Sequence, residues 1–247
     1  MLNLPKLIGH RGVKDLSPEN TVDSINLAKK LGLDWVEFDV KISKDLIPIA
    51  FHDDSLERTT NGKGLPIDHS YQDLKKLDAG CFFYHQPTKI YIPTLEEILL
   101  LCQNKNICLN IELKPNKGFE KQNVISIAKI LNNFKFSREY YFSSFDWDSL
   151  VMMKEIIPKA NYGLLVHEFK KDRTLHDIKT IANKYNFFCC GLSKDIINSE
   201  VINYISKNNL MVTVYSRKNL TFNEANGLWS KGVKSIFIDD PTEFKLV

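Results

Sequence analysis

Hydrophobic residues along the chain fall into nine short runs, at 7–10, 35–42, 47–52, 107–113, 140–145, 161–167, 187–193, 210–215 and 235–239. Each has the length of a β-strand. Between most of them the apolar residues recur at helical spacing, over 17–31, 94–103, 119–133, 146–156, 174–184, 198–207 and 219–230. In the first of these, Val22, Ile25, Ala28 and Leu31 mark one face. Ser17 followed by Pro18 predicts its N-cap and first helical residue. Thr94, with Glu97 three positions on, predicts a capping box. Strands that alternate with helices predict a parallel sheet covered by helices.

One pair breaks the alternation. Only a few residues around Asp45-Leu46 join run 35–42 to run 47–52. Parallel neighbours need a crossover of a dozen or more residues, so this pair must be an antiparallel hairpin. Eight strands remain that can run parallel. Eight strands and a chain of 247 residues match a TIM (β/α)8 barrel, which takes about 250 residues. Residues 53–92, with the turn-rich "RTTNGKG", then form a small insertion after the second barrel strand of a single domain spanning 1–247.

Composition narrows the function. At 43% hydrophobic and 26% charged residues the chain reads as soluble and globular. A net charge of +3, without an Arg/Lys block, gives no support for nucleic acid. No segment reaches the roughly 20 apolar residues of a membrane span, and "MLNLPKLIGHRG" lacks a signal-peptide core. Cytoplasm is the expected compartment. Five cysteines, odd in number and without C-x-x-C spacing, predict buried thiols. No Gly-rich phosphate loop and no G-x-S-x-G elbow occur, against nucleotide-dependent and serine-hydrolase chemistry. Nothing in the pattern specifies an oligomer.

Candidate chemistry lies at strand ends, where barrel active sites form. "GHRG" sets His10 and Arg11 after the first strand: a group that titrates near neutrality, and a planar fork of donors. The alternative is a strand-capping His with a structurally paired Arg. In "VEFDVKI" Glu37 and Asp39 share one strand face, and in "NIELK" so do Glu112 and Lys114. Carboxylates gathered at one barrel mouth would ask for a cation, and oxygen ligands favour Mg²⁺ or Ca²⁺. The alternative is neutralisation by Lys41 and Lys114 in salt bridges. In "FHDD" His52 is a second candidate acid/base group or a plain strand-end His. A hairpin turn centred on Asp45-Leu46 opposes Asp39 to His52 and Glu37 to Asp54, so Glu37, Asp39 and His52 would converge. His69 and His85 are expected to be exposed, and His167 could border the site.

Together these segments resemble the glycerophosphodiester phosphodiesterase family. "GHRGVKDLSPENT" resembles its HRG-…-PENT opening, and "VEFDVKISKDLIPIAFHDDSLERTTNGKG" its E-x-D…HD…L-x-R-T-T…G block. "LDAG" with "IPTLEEIL", "IELK" and "GVKSIFIDDP" are similar to its later segments. The resemblance implies hydrolysis of small-molecule glycerophosphodiesters to an alcohol and sn-glycerol 3-phosphate with a divalent cation. It makes His10 and His52 the acid/base pair, and Glu37, Asp39 and Glu112 the metal ligands. It makes Arg11 and Lys114 phosphate partners. The chain departs from the pattern at "VYSRKN", where the family has W-T-V-N: Tyr215 stands for the Trp and Ser216 for the Thr. That wall would help shape the substrate pocket. Leu46 replaces the Gly of an Asp-Gly turn, and Asp240 replaces a Tyr beside the matching Asp239. Two other readings remain. An apolar rim at Phe82, Phe83 and Tyr84 would favour a lysophospholipase D-like or cyclising enzyme acting on lysolipids. A barrel that only binds a phosphorylated ligand would have no need of two titrating histidines.

Overall fold

The computed structural model describes residues 2–244. Its strands are β1 (Leu7–Gly9), β2 (Trp35–Ile42), β3 (Pro48–Ala50), β4 (Cys108–Leu113), β5 (Tyr140–Ser144), β6 (Asn161–Val166), β7 (Cys189–Ser193), β8 (Met211–Tyr215) and β9 (Ser235–Ile238). Its α-helices are α1 (Val22–Lys30), α2 (Tyr71–Leu74), α3 (Cys81–Tyr84), α4 (Leu95–Lys105), α5 (Glu120–Phe134), α6 (Trp147–Ile156), α7 (Leu175–Tyr185), α8 (Ser199–Lys207) and α9 (Phe222–Ser230). All strands but β3 pair in parallel, and β1 joins both β2 and β9, so eight strands close into a TIM barrel. β3 pairs antiparallel with Val40–Ile42, the part of β2 that extends past its contact with β1 at Val36. The expected hairpin, barrel and strand count are therefore present.

Alternation along the strands separates two layers. Val36, Phe38, Leu109 and Ile111 pack outward with Ile25, Ile98 and Leu99 of the surrounding helices. Ile8, Trp35, Cys108, Tyr141, Cys189 and Phe237 point inward and, with Leu2 and Leu4, fill the N-terminal end of the barrel. Further along, the inward face turns polar: Glu37 pairs in register with Asn110, and Asp39 with Glu112. The charged face of β2 thus looks into the barrel, where Glu37 and Asp39 are only 2% and 1% exposed. The insertion packs on β3 and Phe51 in a separate small core of Ile49, Phe51, Leu56, Leu74, Ala79 and Ile92.

Two local expectations are corrected. Helix α1 is capped by Thr21, whose hydroxyl accepts from Ser24 N, and not by Ser17. Asn20 adopts a left-handed φ of 58° so that its amide can reach Asp39, which breaks any helix through residues 18–20. The hairpin register also differs by one residue: Val40 faces Ala50 and Lys41 faces Ile49. Its loop spans residues 43–47, with Ser43 N donating to Ile47 O at 3.0 Å and Leu46 N to Ser43 O at 2.9 Å. Asp39 therefore meets Phe51, whose N–H donates to its carbonyl, and not His52. The Thr94/Glu97 capping box is present. Of the cysteines, Cys102, Cys108, Cys189 and Cys190 are buried and Cys81 half-buried.

Leu46 sits in the loop at φ 61° with an exposed side chain. Left-handed backbone costs a non-glycine residue about 1–2 kcal/mol. Leu46→Gly is expected to stabilise the protein by about 1 kcal/mol and raise Tm by about 2–4 °C. An unchanged or lower Tm in thermal unfolding would show that the turn is not strained.

Candidate active site

The site forms where β1, β2, β4 and β9 end. After β1 the chain turns sharply at Arg11, at φ 51°, and Gly12, at φ 83°. A Cβ on Gly12 would lie 2.3 Å from Ser24 Oγ, so only glycine allows that hydroxyl to hold Val13 N and Arg11 O. The turn brings Arg11 N to 2.8 Å from Glu37 Oε2. Strain in a loop that carries functional groups is a recurrent feature of active sites.

Glu37, Asp39 and Glu112 are buried, and each offers a carboxylate oxygen within 4.8 Å of the others. Asp39 accepts from Asn20 Nδ2 at 2.9 Å, and Lys114 Nζ lies 3.4 Å from its other oxygen. Arg11 Nε is 3.3 Å from Asp39 without hydrogen-bond alignment. Lys114 also donates to Glu112 at 3.3 Å. Glu37 Oε1 is buried with no hydrogen-bond partner among the described residues. Burial and then repulsion from Asp39 and Glu112 push the Glu37 carboxyl well above the usual range. Burial likewise raises Glu112, against the pull of Lys114. For Asp39 burial is outweighed by Lys114, Arg11 and His52, which hold it far below the usual range. Three crowded carboxylates with one unpartnered oxygen fit a divalent cation, and their oxygen donors suit Mg²⁺ or Ca²⁺. Lys41 takes no part in neutralising them: it faces Ile49 and reaches Asp54 at 3.0 Å.

Both histidines line the same cavity of about 570 Å³, with Arg11, Glu37, Glu112, Lys114, Tyr215 and others. They are held alike. His10 Nδ1 lies 2.6 Å from Asp239, which also accepts from Lys14 at 2.8 Å. His52 Nδ1 lies 2.6 Å from Asp53, and Asp53 is gripped by Arg58. A carboxylate only accepts, so it fixes the proton on Nδ1 and leaves Nε2 to a ligand. Burial lowers the His10 pKa more than Asp239 raises it. Burial opposes it, but Arg58 and Arg11 hold Glu19 down to about 2. Glu19 thereby links the two arginines, at 2.7 Å from each.

The eight residues singled out from the sequence thus come together, although His52 arrives from beyond β3 and not by strand register. His167 borders the cavity at its exposed rim, with Nδ1 3.0 Å from the Tyr215 hydroxyl. His85 is exposed, but His69 is half-buried and bonded to Lys63 O. Sequence reasoning missed Glu19, Asn20 and Asn110 as site residues. Asn110 lines the cavity with a buried Nδ2 that has no partner among the described residues. Its alternation with Glu112 in "NIELK" could have revealed it.

Comparison with known proteins agrees with the barrel and with the motifs that carry the site. Residues 10–243 match the model of the glycerophosphoryl diester phosphodiesterase family. A glycerophosphodiester phosphodiesterase of Bacillus subtilis is 31% identical over 97% of this chain and 85% of its own length. One from Bacillus altitudinis is 32% identical over 79% of this chain and 81% of its own. The fold superimposes with a TM-score of 0.90 on an Oleispira antarctica phosphodiesterase solved with the product sn-glycerol-3-phosphate, at 30% identity, covering 98% of this chain and 96% of that one. With motifs and barrel in agreement, the chain belongs to the glycerophosphoryl diester phosphodiesterase family of enzymes.

Proposed function

We propose that the chain hydrolyses glycerophosphodiesters to an alcohol and sn-glycerol 3-phosphate, with a divalent cation held by Glu37, Asp39 and Glu112. The observation that carries this reading is the convergence of those carboxylates with His10, His52, Arg11 and Lys114 at one cavity. The bound cation supplies positive charge against the phosphoryl oxygens. Arg11 and Lys114 hold the diester and oppose the negative charge that builds in the transition state. His10 and His52, each with Nε2 free, perform the two proton transfers, one from the nucleophile (water, or the substrate's own glycerol hydroxyl to give a cyclic phosphate that water then opens) and one to the leaving alkoxide. Tyr215 shapes the wall opposite, edge-on to Phe145 at 5.6 Å between ring centroids.

Glycerol 3-phosphate release from glycerophosphocholine and glycerophosphoethanolamine tests the reading. Release is expected to vanish with EDTA and return with Mg²⁺ or Ca²⁺; release that ignores EDTA would rule out the cation's role. A lysolipid reading rests on one feature. Phe82 and Phe83 are exposed and line a second depression of about 310 Å³ that shares Lys14, Glu19 and Arg58 with the main cavity. Lysolipid turnover above that of glycerophosphocholine would decide for it. Among the described residues no helix is long and apolar enough to cross a membrane.

A further inference from the structure

The basic residues around the cavity are not equivalent. Arg11 pairs with Glu19 and Asp39, and Lys14 with Asp15 and Asp239. Arg58 pairs with Glu19 and Asp53, and Lys114 with Asp39 and Glu112. Each of these four cations is opposed by two carboxylates. Arg217 is the exception among the lysines and arginines that line the cavity. Among the described residues its one acidic partner within 4.0 Å is the exposed Asp195, at 3.9 Å.

A hydrogen bond to His167 orients the exposed Arg217 without neutralising it. One guanidinium nitrogen lies 3.1 Å from His167 Nε2, and a guanidinium can only donate, so this imidazole nitrogen accepts. His167 then carries its proton on Nδ1, facing the Tyr215 hydroxyl at 3.0 Å, and that hydroxyl reaches Val166 O at 3.3 Å. Tyr215 in turn packs against Phe145, and Lys114 lies over the Phe145 ring at 5.7 Å. A continuous wall therefore runs from the phosphate-binding Lys114, over two aromatic rings, to a cation with spare donors at the open rim. Phe145 and Leu165 make the intervening lining apolar.

We infer that Arg217, positioned by His167 and Tyr215, selects glycerophosphodiesters whose leaving alcohol carries an anionic group of its own. The inference rests on the phosphodiesterase reading of the site. In the proposed reaction Arg11 and Lys114 hold the phosphate at the buried end, which leaves the open rim, where Arg217 is the underpaired charge, to the variable alcohol. A carboxylate there gains charge-assisted hydrogen bonds, whereas a quaternary ammonium meets a fixed positive charge.

Three diesters of similar size test this, with choline, glycerol and glycerate as the alcohols, by glycerol 3-phosphate release in the cation-loaded protein. The expected order of kcat/KM is glycerate, glycerol, choline. Arg217→Gln is expected to shrink the glycerate-to-choline ratio by about two- to fivefold, the scale of an exposed ion pair. Arg217→Glu should invert the order, and high salt should narrow the wild-type ratio. Release from all three diesters with a ratio indifferent to residue 217 would overturn the inference and leave the phosphodiesterase reading intact. Release from none would overturn both.

Discussion

His10→Ala and His52→Ala are each expected to lower kcat by at least about 100-fold, the usual scale of a lost acid/base group. The expectation follows from how the rings are held. Each Nδ1 lies 2.6 Å from a carboxylate, Asp239 or Asp53, and each carboxylate is itself fixed by a cation, Lys14 or Arg58. Such a chain orients the imidazole and specifies its tautomer before substrate arrives. Alanine removes the proton carrier and leaves the support, so the loss should appear in kcat far more than in KM. Asp239→Asn keeps a bonding partner but no longer fixes the proton on Nδ1, and its kcat should fall between those of wild type and His10→Ala. Steady-state kinetics with saturating cation give the answer. Near-normal turnover in either alanine variant would remove that histidine from the mechanism.

The second large effect is on stability. Stripped of divalent cation, the protein is expected to lose stability as pH rises from about 4.5 upward through the raised pKa values of Glu37 and Glu112. In this window the folded state binds protons that the unfolded chain has already released, so raising the pH favours unfolding. Asp39 has the opposite sign: its depressed pKa contributes stability that is lost only as pH falls below the usual carboxylate range. A cation held by these carboxylates would replace the protons, so the pH slope should flatten when it is added. At 100 times its Kd, it should stabilise the fold by about 2.7 kcal/mol, or roughly 5–10 °C in Tm for a chain of this size. Thermal unfolding between pH 5 and 8, with EDTA and then with excess Mg²⁺ or Ca²⁺, measures both. Equal Tm values with and without cation at pH 8 would show that the triad does not bind one.

The two effects share a cause. Glu37 Oε1 is buried without a partner while the neighbouring Asp39 holds three favourable contacts. The arrangement is therefore least comfortable when it is empty and ionised. Glu37→Gln should accordingly lessen the pH slope of the stripped protein while abolishing metal-dependent turnover.

Much of this was set by local pattern. Alternation along β2 and β4 put Glu37 and Asp39, and Glu112 and Lys114, on common faces whatever the rest of the chain did, because strand side chains alternate with period two. The spacing of helical and strand segments, with one hairpin too short for a crossover, allowed only eight parallel strands, and eight strands close. Thr94 and Glu97 marked the start of α4 for the same local reason. What the tertiary structure decided are contacts between segments far apart in sequence and geometries set by loops. The hairpin register depended on how Ser43 closes a five-residue loop, a choice that alternation cannot read. Helix α1 begins at Val22 and not after Ser17 because Asn20 is recruited by Asp39 from another strand. Asp239 finds His10 across 229 positions only because β9 closes the barrel against β1. The isolation of Arg217 is likewise invisible in "VYSRKN", since a cation is underpaired only relative to the acids that the fold brings near it, and among the described residues the fold brings Asp195 alone within 4.0 Å.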